Sequence, residues 1–413
     1  MTTPLTGACI FGQSGGPTSV INASACGVFE TALKSPYITT VYGAAHGIKG
    51  VLNDQLYIID QEDPEELARL PYTPSSALGS VRYKLKDPEV DDTDYKRILE
   101  IFKKYNVRYF FYNGGNDSMD TCSKVSRYLK SVGYECNVIG VPKTIDNDLY
   151  GTDHCPGFGS AAKYIATTCM EVSLDAKVYD TGMICIIEIM GRNAGWLAGA
   201  AALATASGEG PDLVYLPEIP FDVEKFYADV ERIYKEKGKV IIAASEGIHD
   251  QDGKFISEYA GEAAKDAFGH TQMGGLAQVL QSMLKTKIDC KSRAIELSLM
   301  QRCGAHLASQ TDIDEAYAVG KAAVEAATSG KTGYMVAIHR TSNAPYTWET
   351  ELLPLEKCAN FEKKVPLEWI NPEGNGVTQD FIDYALPLIQ GETKLPKENG
   401  LPRFAKLKKV LAK

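Results

Sequence analysis

The sequence predicts an α/β protein built on mostly parallel sheets covered by helices on both faces. Three observations carry that expectation. Apolar strand-like runs, such as 108–112 and 137–141, alternate with helical patterns along the chain. These runs are continuous rather than alternating, which marks strands buried on both faces. Glycine-rich or charged loops directly follow several of them, and sheets of this kind bind ligands beyond the carboxyl ends of their strands.

The elements follow in order. A first strand over 7–11 leads into Gly12-Gln13-Ser14-Gly15-Gly16-Pro17 and a helix from about Thr18. Proline at a helix start is favoured, because its missing N–H has no partner there anyway. The next strand covers 38–42 and ends at Gly43. Between Asp94 and Tyr105, the residues Tyr95, Ile98, Leu99, Phe102 and Tyr105 recur at helical spacing. Further strands are expected over 183–190, 212–216, 240–244 and 334–339. Long helices are expected over 158–174, 193–207, 223–236, 274–284 and 314–328. The tail from Gly391 is rich in Lys and Pro, and 403–413 reads as a short basic amphipathic helix. No internal repeat is visible. At 413 residues the chain is long enough for two domains or one large interleaved unit.

Composition narrows the function. An apolar content of 44% supplies buried cores, and a net charge of −10 argues against nucleic acid or anionic membrane as a partner. A local basic pocket stays compatible with that charge. Met1-Thr2-Thr3-Pro4-Leu5 has neither a basic region nor a long apolar stretch, so no signal peptide is expected. The most apolar uncharged stretch, 196–206, is too short to cross a bilayer. The ten cysteines form no C-x-x-C pair, and Cys9 and Cys185 sit in apolar runs. They read as reduced thiols of a cytoplasmic protein. Cys303 and His306 have the spacing of half a metal site, without a second half.

Two runs carry chemistry: Gly114-Gly115-Asn116-Asp117-Ser118 and Pro142-Lys143-Thr144-Ile145-Asp146-Asn147-Asp148. Each directly follows an apolar strand. Paired glycines let the backbone approach a ligand closely, and a helix starting there points free N–H groups at an anion. The second run adds a lysine and two aspartates in a neighbouring strand-end loop. An anion cradle, a cation and a carboxylate able to take a hydroxyl proton together read as phosphoryl transfer. Taken singly, these are also the residues of a turn, a solvated lysine and turn caps. Their joint order and spacing carry the reading.

With Gly15-Gly16, Gly79-Ser80-Val81-Arg82, Met190-Gly191-Arg192, Ser245-Glu246-Gly247 and Gln301-Arg302, these runs resemble the phosphofructokinase family, and within it the pyrophosphate-dependent branch. The motifs stand in family order across about 7–340. The resemblance implies two interleaved domains: a phosphoryl-donor domain from 1–155 plus about 300–345, and a sugar-phosphate domain from about 156–299 plus 346–413, which includes a C-terminal extension. It implies transfer from diphosphate to the 1-hydroxyl of D-fructose 6-phosphate, reversibly, as a step of glycolysis. Asp146 is then the base and Lys143 the catalytic cation. Gly15, Gly16, Arg82, Gly115, Asp117 and Ser118 hold the donor. The sugar phosphate falls to Thr144, Ile145, Asp146, Met190, Gly191 and Arg192, and to Glu246, Arg293, Leu299, Met300, Gln301 and Arg302. The cofactor is Mg²⁺, at Asn116, where many relatives carry an aspartate. Asp148 orients the loop or attracts the metal.

Donor choice rests on two positions. ATP-using relatives typically have glycine where this chain has Asp117 and Lys143. A carboxylate at Asp117 repels charge expected toward an α-phosphate; two like charges about 4 Å apart at an effective dielectric near 20 cost about 4 kcal/mol. Lys143 offsets charge on the small, dense diphosphate. Met183 and Leu299 stand where bacterial ATP-dependent relatives carry a cross-subunit arginine and a histidine for the sugar phosphate, which leaves His154, Lys163, Tyr164 and Lys177 as unassigned substitutes. The alternatives are the ATP-dependent enzyme and a non-catalytic regulatory subunit. A dinucleotide-binding dehydrogenase lacks its G-x-G-x-x-G here.

The resemblance also implies a homo-oligomer, a dimer or tetramer. Cys26 and Glu30 occupy places where regulated relatives carry arginines, and Gly208-Glu209-Gly210-Pro211 adds no cation. Lys235, Lys237 and Lys239 are the counterweight. The expectation is a non-allosteric enzyme.

Overall fold

The computed structural model describes residues 4–260, 275–359 and 361–413. The chain divides into two compact units. The first takes Met1–Ser160, Arg302–Glu362 and Gly391–Lys413; the second takes Ala161–Gln301 and Lys363–Gln390. The expected boundaries shift in one respect. Residues 346–362 and 391–413, expected with the second domain, belong to the first unit.

The strands used below are β1 (Gly7–Gln13), β2 (Ile38–Ala44), β3 (Leu56–Ile58), β4 (Val107–Gly114), β5 (Asn137–Pro142), β6 (Met183–Ile189), β7 (Leu213–Tyr215), β8 (Lys239–Ser245), β9 (Lys291–Glu296), β10 (Tyr334–Asn343) and β11 (Tyr346–Pro354). The first unit holds a seven-stranded sheet in the order β11-β10-β5-β4-β1-β2-β3. Its five central strands pair in parallel, and the edge strands β3 and β11 run antiparallel.

Successive strand side chains point to opposite faces. Ile10, Phe110 and Tyr112 therefore join one core, with Ile98, Phe102 and Met119 from the helices Thr93–Lys104 and Asn116–Ser131. Cys9, Phe11, Tyr109 and Phe111 join the other core, with Val28, Phe29, Val319 and Ala323 from the helices Ile21–Leu33 and Gln310–Thr328. Burial on both faces is why these strands read as unbroken apolar runs.

The second unit has a four-stranded parallel sheet, β7-β8-β6-β9. Ile184, Ile186, Val240 and Ile242 pack on Phe226, Val230 and Leu280 of the helices Val223–Lys237 and Leu276–Lys285. The expected start of the latter helix at Gly274 lies outside the described residues.

Three expected helices differ. The first starts at Ile21 rather than Thr18, because the Thr18 carbonyl accepts from Ser75 N and the Thr18 hydroxyl from Val20 N. The stretch 193–207 is α-helical only over Trp196–Ala200 and tightens to a 3₁₀ turn over Ala201–Ser207. Gly195 N donates to Glu218 Oε1 instead, at 2.7 Å. The tail 403–413 is not helical at all. Its N–H groups go sideways, from Ala405 to the Thr73 hydroxyl, Lys406 to Glu66, and Lys408 and Lys409 to Glu62.

Candidate active site

In the first unit, three adjacent parallel strands end together. Gln13 of β1 is level with Asn113 of β4, and Gly114 of β4 is level with Pro142 of β5. The segments that follow, Gly15-Gly16, Gly115 and Lys143, therefore meet at one end of the sheet. Gly15 turns with φ +75°, and a Cβ there would come within 3.2 Å of Lys143 Nζ. Lys143 Nζ donates to the Gly16 carbonyl at 2.6 Å. The segment 79–82 docks alongside: Gly15 N donates to Val81 O at 3.1 Å and Ser80 Oγ to Gly15 O at 2.6 Å. A Cβ at Gly16 would lie 3.3 Å from a terminal guanidinium nitrogen of Arg302.

Lys143, Arg82 and Arg302 thus form a cationic group on a glycine turn. Burial comes first in lowering the Lys143 ammonium from 10.5 to about 8; Arg82 and Arg302 push the same way, while Asp146 and Asp148 oppose them. Burial and then Arg82 also lower the Arg302 guanidinium. A buried lysine and a partly buried arginine, both repelled by the exposed Arg82, are a prepared site for a polyanion.

The helix Asn116–Ser131 starts on Gly115, with no side-chain cap on its first N–H groups. That leaves its positive end for an anion. Gly114 is required by packing, since a Cβ would sit 1.9 Å from Ser118 Oγ. Asp117 is exposed in the first turn, 3.7 Å from the equally exposed Lys84, a pair that contributes little to stability. Asn116 Nδ2 donates to Asp148 Oδ2 at 3.2 Å, while Asn116 Oδ1 is buried without a partner. Burial, and then the charges of Asp146 and Glu362, push the Asp148 carboxyl up. Among the described residues no cluster of three or more His, Cys, Asp or Glu could hold a metal by itself. An orphaned amide oxygen beside a carboxylate does fit a cation delivered with phosphate, since Mg²⁺ keeps several waters and binds through substrate oxygens.

The loop carrying Asp146 is fixed from within. Thr144 Oγ1 accepts from Asp146 N at 3.0 Å, and Ile145 is buried. Asn147 takes φ +55° and accepts from Cys155 N at 2.9 Å. Asparagine tolerates that left-handed conformation better than most residues.

The second unit repeats the strand-end logic. Met190-Gly191-Arg192 follows β6, Glu246 follows β8, and 299–301 comes shortly after β9. Met190 N donates to Gln301 Oε1 at 3.1 Å and Gly191 N to Glu246 Oε1 at 3.4 Å. Ser245 Oγ donates to Gly191 O at 2.5 Å, locking the two loops together. Arg293, Leu299 and Met300 are exposed.

A phosphofructokinase family profile matches residues 9–327. This chain belongs to the phosphofructokinase family. It is 48% identical over 403 residues to a pyrophosphate–fructose 6-phosphate 1-phosphotransferase of Halomonas elongata, covering 97% of this chain and 96% of that one. A protein of the same description from Methylococcus capsulatus is 45% identical, covering 96% and 95%. The crystal structure of a pyrophosphate-dependent phosphofructokinase from Marinobacter aquaeolei superposes with a TM-score of 0.89 at 43% identity, covering 98% and 97%. Phosphofructokinases generally need a divalent metal for phosphoryl transfer, as this family membership carries over.

Arg302, expected with the sugar residues, is grouped with Gly16, Arg82 and Lys143 in the first unit. Two of the unassigned substitutes for the missing sugar-phosphate contacts are already engaged. His154 is buried between Asp153 and Glu315, and Lys177 pairs with Glu209 at 2.5 Å. Met183 is buried at the start of β6. The residues that fasten the Asp146 loop, Glu315 and Asp312, escaped the sequence reading. They lie more than 150 positions from the loop, and no local pattern announces them.

Proposed function

We propose that this chain transfers a phosphoryl group from diphosphate to the 1-hydroxyl of D-fructose 6-phosphate, giving D-fructose 1,6-bisphosphate and phosphate. The observation that carries this reading is the group Lys143, Arg82 and Arg302 gathered on the Gly15-Gly16 turn, with Asp146 in their field. The protein is a phosphotransferase acting on an alcohol, like its relatives.

Asp146 takes the proton from the sugar O1. The O1–phosphorus bond forms and the bridging oxygen–phosphorus bond of diphosphate breaks, so phosphate leaves. Lys143, Arg82 and Arg302 balance the charge on the transferred oxygens, and the N-terminus of the helix Asn116–Ser131 holds the leaving phosphate. In the reverse direction Asp146 returns its proton to O1. Gly15, Gly16, Gly115 and Ser118 line the donor turn. Arg192 and Arg293 suit the sugar phosphate because the guanidinium fork binds oxyanions at two points. Glu246 accepts from sugar hydroxyls, with Met190, Gly191, Leu299, Met300 and Gln301 in the same unit; Thr144 and Ile145 precede Asp146 on its loop. A Mg²⁺ ion carried by the donor would be held by Asn116 Oδ1 and Asp148 and would neutralise donor charge.

Ten free cysteines suit a reducing, cytoplasmic setting. No helix among the described residues is long and apolar enough to cross a membrane. A homo-oligomer, dimer or tetramer, follows from the family's habit of sharing sugar-site groups between subunits. A coupled assay with diphosphate or ATP as the sole donor tests the reading. Turnover with diphosphate and Mg²⁺ is expected; turnover with ATP alone would replace it by the ATP-dependent reading.

A further inference from the structure

A closed ring of charge lies in the first unit behind the Asp146 loop. His154 is buried, with Nδ1 2.7 Å from Asp153 Oδ1 and Nε2 2.6 Å from Glu315 Oε2. Arg340 of β10 donates to the same Asp153 oxygen, through Nε at 3.1 Å and a terminal nitrogen at 2.8 Å. Tyr346 of β11 donates to the other Glu315 oxygen at 2.5 Å and lies under the Arg340 guanidinium, 5.1 Å from ring centre to carbon. Five side chains thus tie the helix Gln310–Thr328 and the hairpin β10–β11 to one short segment of loop.

That segment is the return leg of the loop that bears Asp146. Asp153 N donates to Ile338 O, and Ile338 N to the Thr152 hydroxyl, both at 2.9 Å. Cys155, next to His154, donates its N–H to Asn147, next to Asp146. Thr144 N donates to Pro156 O at 3.2 Å. Beyond them, Gly157 N and Ser160 N both donate to the buried Asp312 carboxylate, at 2.8 and 2.9 Å. The two legs are bonded to each other, and the return leg is anchored through a buried ion network.

We propose that His154 is the positioning residue for Asp146, acting through Cys155 and Asn147. The reason is energetic. A buried ion pair adds little net stability over an apolar filling, but removing one partner is strongly destabilising because it leaves buried charge less well compensated. Within this ring His154 makes the direct bond from the loop to Glu315, while Arg340 and Tyr346 form the longer path. Without it, Asp153 keeps Arg340 and Glu315 keeps Tyr346, but the cation between the two carboxylates and the direct tie from the return leg to Glu315 are lost, which frees that leg to shift. A base displaced by about 1 Å loses roughly 100-fold in rate while ground-state binding is little changed. The inference rests on Asp146 being the base.

The test is a double-mutant cycle on the full chain with diphosphate and fructose 6-phosphate. His154→Gln is expected to lower kcat roughly 10- to 100-fold with both KM values within about twofold. Combined with Asp146→Asn, it should cause no further loss, because its effect passes through that carboxylate. Parental kcat in folded His154→Gln beside a crippled Asp146→Asn overturns the positioning role, as do losses that multiply in the double variant. Parental turnover in Asp146→Asn overturns the base instead, and the inference with it. If His154→Gln does not fold, Glu315→Gln, which keeps size and an acceptor, runs the same cycle with the same criteria.

Discussion

The Lys143 ammonium donates to the Gly16 carbonyl at 2.6 Å, across the turn that follows β1. A buried cation is held on a backbone oxygen, between the fields of two arginines, until an anion arrives. The fall from 10.5 to about 8 corresponds to ~3 kcal/mol against the charged form in the folded protein. Lys143→Met should therefore raise ligand-free stability at pH 7 by ~2 kcal/mol after the lost hydrogen bond is subtracted, while lowering kcat with diphosphate. Because the folded pKa lies below the unfolded one, the parent's penalty is complete below about 8 and fades as pH rises toward 10.5. Urea melts of parent and variant across that window should converge. The parent's kcat/KM for diphosphate should fall above pH 8.

Asp146→Asn should keep the fold and both substrates but lose about 10²- to 10⁴-fold in turnover. Binding of both substrates by calorimetry, alongside the coupled assay, checks this. Turnover within a few-fold of the parent would assign the base elsewhere.

Asp117 stands in the exposed first turn, loosely paired with Lys84, so its carboxylate is available to face a longer donor. Asp117→Gly with Lys143→Gly should weaken diphosphate use and admit some ATP. Lys143→Gly alone should mainly damage kcat, since it removes charge from the transition state. An unchanged donor preference in the double variant rules out this gate.

Arg192 and Arg302 should separate. Arg192→Ala should raise the fructose 6-phosphate KM by the equivalent of about 1.5–3 kcal/mol and leave diphosphate untouched. Arg302→Ala, beside Gly16 and Arg82, should lower kcat and weaken diphosphate as well. Full initial-rate surfaces for both variants decide the point; identical patterns would mean that the two arginines serve one substrate.

Regulation by nucleotide should be weak. Around the 208–211 loop the cations are already spent: Lys177 pairs with Glu209 at 2.5 Å, Lys237 with Asp212 at 2.7 Å, and Lys239 donates to Tyr179 O at 2.8 Å. An effector phosphate would have to displace each partner. Fructose 6-phosphate saturation should be hyperbolic and move little with ADP or phosphoenolpyruvate. A sigmoidal curve shifted severalfold by ADP is the contrary result.

Much of this was legible in the chain. The strands showed because burial on both faces makes them continuous runs, as in β4 and β5. The glycines and Lys143 showed because strand-end loops are short and local. Helix ends were less visible: Gly195 gives its N–H to Glu218, and nothing near Gly195 says so. The tail misled, because its basic spacing suits a helix while its N–H groups answer to Glu62 and Glu66 far upstream.

By itself the sequence determined the parallel architecture, the two motif loops and the family, because periodicity and local backbone requirements are written in consecutive residues. The tertiary structure decided which cations share a field, so that Arg302 joins Lys143 and Arg82. It also decided that His154 is a buried bridge rather than a ligand for sugar phosphate. Charge and burial depend on distances through space, and residues 154 and 315 become neighbours only when a helix and a hairpin close on the same loop.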